Sequence, residues 1–185
     1  MTAPAQVEGI VAGRWTIDPV HSDISFVVRH LVSKVRGTFE TFSGEIIISD
    51  DLAKSSATAT VDLTSISTKN AQRDAHLRSA DFFEADKHPT MTFASTQVRE
   101  SDDGYVVDGD LTIKDVTKSV SLAVELNGFS ADPYGGTRVG FSATTRIKRQ
   151  DFNVNFNGVV EGVGVLVGDY IDVHIEIEAV LADGQ

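Results

Sequence analysis

The chain has no cysteine. That absence excludes disulfides, thiolate nucleophiles and thiolate metal sites together. Basic residues are scarce, with 16 Lys and Arg against 27 Asp and Glu and a net charge of −11 at pH 7. Neither a nucleic-acid backbone nor an anionic membrane is an expected partner for such a chain. No apolar run approaches the about 20 residues needed to cross a bilayer as a helix, so no stable membrane insertion is expected. There is no G-x-S-x-G elbow, no P-loop and no G-x-G-x-x-G fingerprint, which removes the usual supports of serine hydrolysis and phosphate binding. The opening MTAPAQVEGIVAGRW lacks a basic n-region and a long apolar h-region. It does not read as a secretion signal, and a cytoplasmic location is expected.

Helical periodicity is nearly absent too. It is confined to Asn70–Phe93, NAQRDAHLRSADFFEADKHPTMTF. Thr68 or Asn70 supplies an N-cap, and Asp74 and Arg78, four apart, are expected to pair on the surface. Everywhere else the period is two. RWTI stops at Asp18-Pro19. Asp23–His30 alternates Ile24, Phe26 and Val28 with Ser25, Val27 and Arg29. Residues 34–49 read as one long strand, in which Phe39 and Phe42 have opposite parity and need a bulge between them to face the same side. Ala57, Ala59, Val61 and Leu63 form the next inward set. Further strands follow from Met91, Tyr105, Ser119, Val139 and Asp169. In the last, Ile171, Val173, Ile175, Ile177 and Ala179 face in, and Asp172, His174, Glu176 and Glu178 face out.

These segments predict an all-β fold, an extended antiparallel lipocalin-like barrel of about eight strands with one short helix. Residues 1–12 read as a loose lead-in and 13–182 as one domain. A helix interrupting a long antiparallel pattern suggests a sheet closed around a cavity. Several inward positions are small: Gly44, Ala57, Ala59, Ala143 and Thr145. Small residues leave volume that Phe26, Phe42, Phe93 and Phe141 would line, although a close-packed interior is the ordinary outcome. On the helix, Arg73, His76 and Leu77 share a face, and a guanidinium there would suit a carbonyl or phosphate head group. The Asp172-x-His174-x-Glu176-x-Glu178 ladder is expected to be a solvated face, since neighbours on it stand about 6.8 Å apart and no second element supplies ligands. His21, His30 and His88 read as isolated turn residues. The glycine-rich stretch 158–169 reads as a connection packing over the barrel.

Together these segments resemble the YceI-like family of polyisoprenoid-binding proteins, over about Trp15 to Val180. The resemblance is carried by WTIDPVHSDISFVVRH, by GTFETFSGEI, and by Ser67-Thr68, Arg73-Asp74, His76-Leu77-Arg78-Ser79, Asp81-Phe82-Phe83 and His88-Pro89. Arg149-x-Asp151-Phe152 and Gly168-Asp169 complete it. It implies an open, elongated lumen holding a long isoprenoid chain, such as an isoprenoid quinone or polyprenyl lipid, for transport or sequestration. No catalytic step, metal or cofactor is expected. The expected ligand contacts are Phe26, Phe42, Ala59, Phe93, Phe141 and Phe152, with Phe82 and Phe83 near the helix end and Arg73 and His76 toward the head group. A fatty-acid-like amphiphile, or a stress-related interaction protein with a filled barrel, is the alternative. A homodimer is left open.

Overall fold

A computed structural model describes residues 10–133, 135–162 and 164–182. Most of the expected lead-in, residues 1–9, lies outside the described residues, as do Tyr134 of the ADPYGG loop and Val163 of the glycine-rich stretch.

The strands are β1 (Gly13–Ile17), β2 (Asp23–His30), β3 (Ser33–Phe39), β4 (Phe42–Ile48), β5 (Ser56–Asp62) and β6 (Ile66–Ser67). After helix α1 (Ala71–Arg78) come β7 (Thr90–Ser101), β8 (Gly104–Ile113), β9 (Val116–Ala131) and β10 (Thr137–Lys148). The short β11 (Val159–Val160) and β12 (Gly164–Val165) precede β13 (Val167–Leu181). Eight of them close an antiparallel barrel in the order β1-β4-β5-β7-β8-β9-β10-β13, with β13 returning to β1. Closure leaves no free sheet edge in the ring.

β13 changes partner along its length. Its end pairs with β1, Ile17 opposite Ala179, while Ile171 to Glu176 pair with β2. β2, β3 and β6 thereby extend the wall beyond the eight-stranded ring. This explains why residues 34–49 are not one bulged strand. The chain breaks at Glu40-Thr41: β3 goes to β2 and β6, and β4 goes to β1 and β5. Backbone bonds from Glu40 N to Ser65 O (3.2 Å) and from Asp62 N to Thr41 O (2.9 Å) fix the corner. Phe39 and Phe42 are both buried across it, because the corner, and not a bulge, offsets their opposite parity.

One end is plugged. Trp15 is fully buried among Ile48, Val139 and Ala179, with the Phe129 ring 5.5 Å away. Its indole N–H donates to the Val11 carbonyl at 3.2 Å, so the largest apolar side chain is buried with its polar atom satisfied. The glycine-rich stretch forms the β11–β12 hairpin. No helix among the described residues is long and apolar enough to cross a membrane.

Candidate functional site

Between the Trp15 plug and the helix the barrel is hollow. A cavity of about 720 Å³ runs through it, within the range that holds small molecules. The inward side chains of β13 line it from Ile171 to Ile177, about 20 Å of strand at 3.3 Å per residue. A filled barrel is thus not what these residues build. The small positions explain part of the volume, because Ala57, Ala59, Ala143 and Thr145 all face it. Gly44 is a correction: the room above it is taken by Ile17, whose Cδ1 would lie 2.6 Å from an added Cβ.

Two glycines set the posture of the aromatics. Phe26 stands opposite Gly37 across β2–β3, and its ring lies where a Cβ at Gly37 would sit, 2.3 Å away. The Phe93 ring covers Gly109 in the same way, at 2.4 Å. Both rings lie against the wall.

All ten residues expected to contact a ligand border this one cavity. Phe26, Phe42, Ala59, Phe93 and Phe141 reach it from β2, β4, β5, β7 and β10. Arg73 and His76 reach it from α1, Phe82 and Phe83 from the turns after it, and Phe152 from the 3₁₀ turn Arg149–Phe152.

The helix forms because Asn70 caps it, accepting from Arg73 N at 2.9 Å, and it ends at Ser79, which returns its N–H to the His76 carbonyl. Asp74 does not pair with Arg78. It is buried and accepts from the Thr68 N–H at 2.8 Å and the Thr68 hydroxyl at 2.5 Å. A buried carboxylate needs such donors, and surface pairing was the lesser alternative. Arg73 then donates to the Thr68 hydroxyl oxygen (2.7 Å) and carbonyl (2.8 Å), so it is held by Thr68 rather than by an acid. His76 bonds Asp81 at 2.8 Å and meets Phe82 and Phe156 edge to face, with centroids at 5.1 and 4.9 Å.

Arg149 is the residue that the sequence reading assigned no role. Parity places it two positions after inward Ile147, and it is buried at the cavity border. Its guanidinium donates to the carbonyls of Gly168 (2.8 Å), Val154 (2.9 Å) and Phe156 (2.7 Å). Burial pulls its pKa below the ordinary guanidinium value. No Asp or Glu is among the described residues lining the cavity, while Arg29, Arg73, Arg149, His30 and His76 are. In a chain with 27 acids the charged groups that border the lumen are arginines, and the buried Asp74 is turned onto Thr68 beside Arg73.

The outward ladder is solvated as expected: Asp172 pairs with Arg146 at 2.7 Å and Glu176 accepts from Ser142 at 2.7 Å. His21, however, is not isolated. Its ring nitrogen lies 2.7 Å from Asp18 and 3.5 Å from Glu178. The Arg138 guanidinium occupies the centre of this group, at 2.8 Å from Asp18, 3.0 Å from Glu178 and 2.8 Å from Asp132. An internal cation thus stands where three convergent ligand side chains would otherwise invite an ion. These contacts hold the Asp18 carboxyl well below its usual range.

The family profile of the YceI-like domain matches residues 15–179. A UPF0312 protein of Vibrio vulnificus is 39% identical over 163 residues, covering 86% of this chain and 82% of that relative. The crystal structure of Burkholderia cenocepacia BcnA superposes with a TM-score of 0.76 at 25% identity, covering 88% of this chain and 98% of that one. A polyisoprenoid binding domain from Saccharophagus degradans, implicated in plant cell wall breakdown, shares the fold with a TM-score of 0.69 at 16% identity, over 93% of this chain and all of its own.

Proposed function

This chain belongs to the YceI-like domain family, and from that premise we propose that it binds a long-chain isoprenoid lipid inside the barrel and carries or sequesters it unchanged. The observation that carries this reading is the cavity: elongated, walled mostly by Phe, Ile, Val and Ala, closed at one end by the cluster around Trp15, and with its charged lining confined to Arg73 of α1, Arg29 at the end of β2 and Arg149. A thin branched hydrocarbon matches that shape, and its polar end would lie beside Arg73 and His76. Phe26, Phe42, Ala59, Phe93, Phe141 and Phe152 would contact the tail, and Phe82 and Phe83 the region nearer the head.

Magnitudes say how such a site chooses. Each buried methylene contributes about 0.8 kcal/mol, so one five-carbon unit contributes about 3–4 kcal/mol before losses. Non-covalent affinity saturates near about 18–21 kcal/mol, so units beyond about six cannot be counted by affinity. The length of the lumen must set the chain length. The cations near the border favour a head group that accepts hydrogen bonds, as a quinone carbonyl or an anion does.

Native mass spectrometry of gently purified protein tests this. A retained adduct whose mass fits an isoprenoid series supports the reading, and an adduct of fatty-acid mass, or none after exposure to membrane lipid, overturns it. Incubation with extracted lipid tests the absence of catalysis. Product accumulating beyond the amount of protein would replace the carrier with an enzyme.

A further inference from the structure

The tip of the β2–β3 hairpin breaks two ordinary rules. His30 and Ser33 pair across a two-residue turn, Leu31-Val32. Leu31 has φ of 51°, in the left-handed region where such turns normally use glycine or asparagine. Val32 beside it is 83% exposed. The hairpin tip therefore holds one aliphatic residue in a strained backbone conformation, Leu31, and one that is almost fully exposed, Val32.

The second rule concerns charge. Arg29, exposed at the rim of the cavity, and Lys34 stand directly opposite one another, and Arg36 lies two residues further along β3. Like charges so placed repel. From Ile24 to Phe39 there is no acid at all. Among the described residues, none of the three cations has an acid within ion-pair distance. The more distant Asp172 interacts with Lys34 at long range, and Arg146 already holds it at 2.7 Å.

This tip adjoins the cavity. His30 and Val35 line it, and Leu31 N donates to the carbonyl of lining residue Leu166 at 3.0 Å. Val165, next to Leu166, is 55% exposed, and Tyr170 is 54% exposed. Apolar tips, unpaired cations and the polar border of a lipid-shaped lumen thus share one end of the barrel.

We propose that this end docks on an anionic lipid surface, with Arg29, Lys34 and Arg36 on the head groups and Val32 and Val165 in the interfacial zone. The net charge of −11 argues against such a surface for the molecule as a whole, but screening over about 8 Å lets the local patch decide. Glu161, in the β11–β12 turn, and Asp169, beside Tyr170, are acids at this end set against it. The purpose of docking rests on the carrier reading, whereas its measurement does not, because the vesicles used contain no isoprenoid.

The test is flotation with vesicles of phosphatidylcholine and phosphatidylglycerol in equal parts, against phosphatidylcholine alone. The protein should float with the anionic vesicles, hardly with the neutral ones, and less at high salt. Each basic residue near such a surface contributes about fivefold, so the Lys34→Ala/Arg36→Ala double variant should partition about 25-fold less. Val32→Asp should weaken flotation and Glu161→Lys should strengthen it. Removing Lys34 relieves repulsion, so an unchanged or raised melting temperature of Lys34→Ala shows that the fold is intact. Failure of the wild type to float, equal flotation with neutral vesicles, or no change in the double variant overturns the proposal. So does flotation only with protein-containing native membranes, which would mark a protein partner. A protein that retains isoprenoid but never floats keeps its function and loses the docking; one that floats but never retains isoprenoid does the reverse.

Discussion

His76 and Phe156 meet edge to face, with ring centroids 4.9 Å apart. This contact joins α1 to the segment that follows Phe152, and the same Phe156 gives its carbonyl to the buried Arg149 at 2.7 Å. At the helix end of the lumen the Arg149 guanidinium thus satisfies backbone carbonyls of a segment outside the sheet, which Asn157 also ties to Leu166 and Val167.

Replacing Arg149 should be felt across that end. Arg149→Met leaves the carbonyls of Val154, Phe156 and Gly168 without this donor, at a cost of about 3 kcal/mol. For a chain of this size that lowers the melting temperature by about 10 °C. Arg149→Lys should recover little, since one ammonium cannot span the same carbonyls. Thermal unfolding followed by circular dichroism measures both, and a change below about 2 °C in Arg149→Met would contradict the assignment.

Filling the lumen should exclude the chain. Ala59→Phe and Ala143→Phe place a ring in the cavity and are expected to weaken binding of a long prenyl probe at least about tenfold, with overpacking costing about 1–3 kcal/mol of stability. Titration of folded variants decides it. Unchanged affinity would mean that the chain lies elsewhere.

Arg73 separates head from tail. Arg73→Ala should cost about 1.5–3 kcal/mol of affinity for a ligand with a carbonyl or anionic head. It should leave a headless prenyl hydrocarbon unaffected. Parallel shifts for both ligands would reduce Arg73 to its structural bonds with Thr68.

Acid should erase the effect of Arg138. The folded-state pKa of Asp18 is depressed, first by its bond to Arg138 and then by His21. A depressed carboxyl contributes stability above its unfolded pKa of about 3.9 and loses it as pH falls through the folded value. Arg138→Met should therefore melt below the wild type at pH 7, and the gap should close as the pH falls below about 4. A gap that persists in acid would point to lost packing instead.

Much of the barrel was legible because parity is a strong signal when one face of every strand is buried. β2 and the inward set of β13 follow from alternation alone. The corner at Glu40-Thr41 was not legible, because strand residues look alike whichever strand they later pair with. The partner change along β13 is a property of the assembled sheet. The same limit hid the site's polar side. Asp74 and Arg78 have the spacing of a surface pair, yet Thr68, outside the helix, claims Asp74. Arg149 was marked by its inward parity, but nothing in a linear chain shows which carbonyls come to meet it. Asp18 and Glu178 are far apart in the chain, and only β13 brings them to Arg138. That the strand residues among the ten border the cavity was legible, since a residue lines a lumen by facing inward and facing is what alternation reports.

Gly37 and Gly109 make a further demand on the chemistry of selection. Neither has a left-handed backbone that calls for glycine, and each is the recess in which a phenyl ring rests. The calibre of the tunnel is therefore set from the opposite strand, by atoms that a ligand need never touch. A single methyl group at Gly37 would swing Phe26 from wall to constriction, and one at Gly109 would displace Phe93 while also meeting the Ala94 carbonyl at 2.7 Å. Gly37→Ala and Gly109→Ala should then shorten the longest chain admitted while sparing shorter ones, a change in molecular ruler rather than in grip.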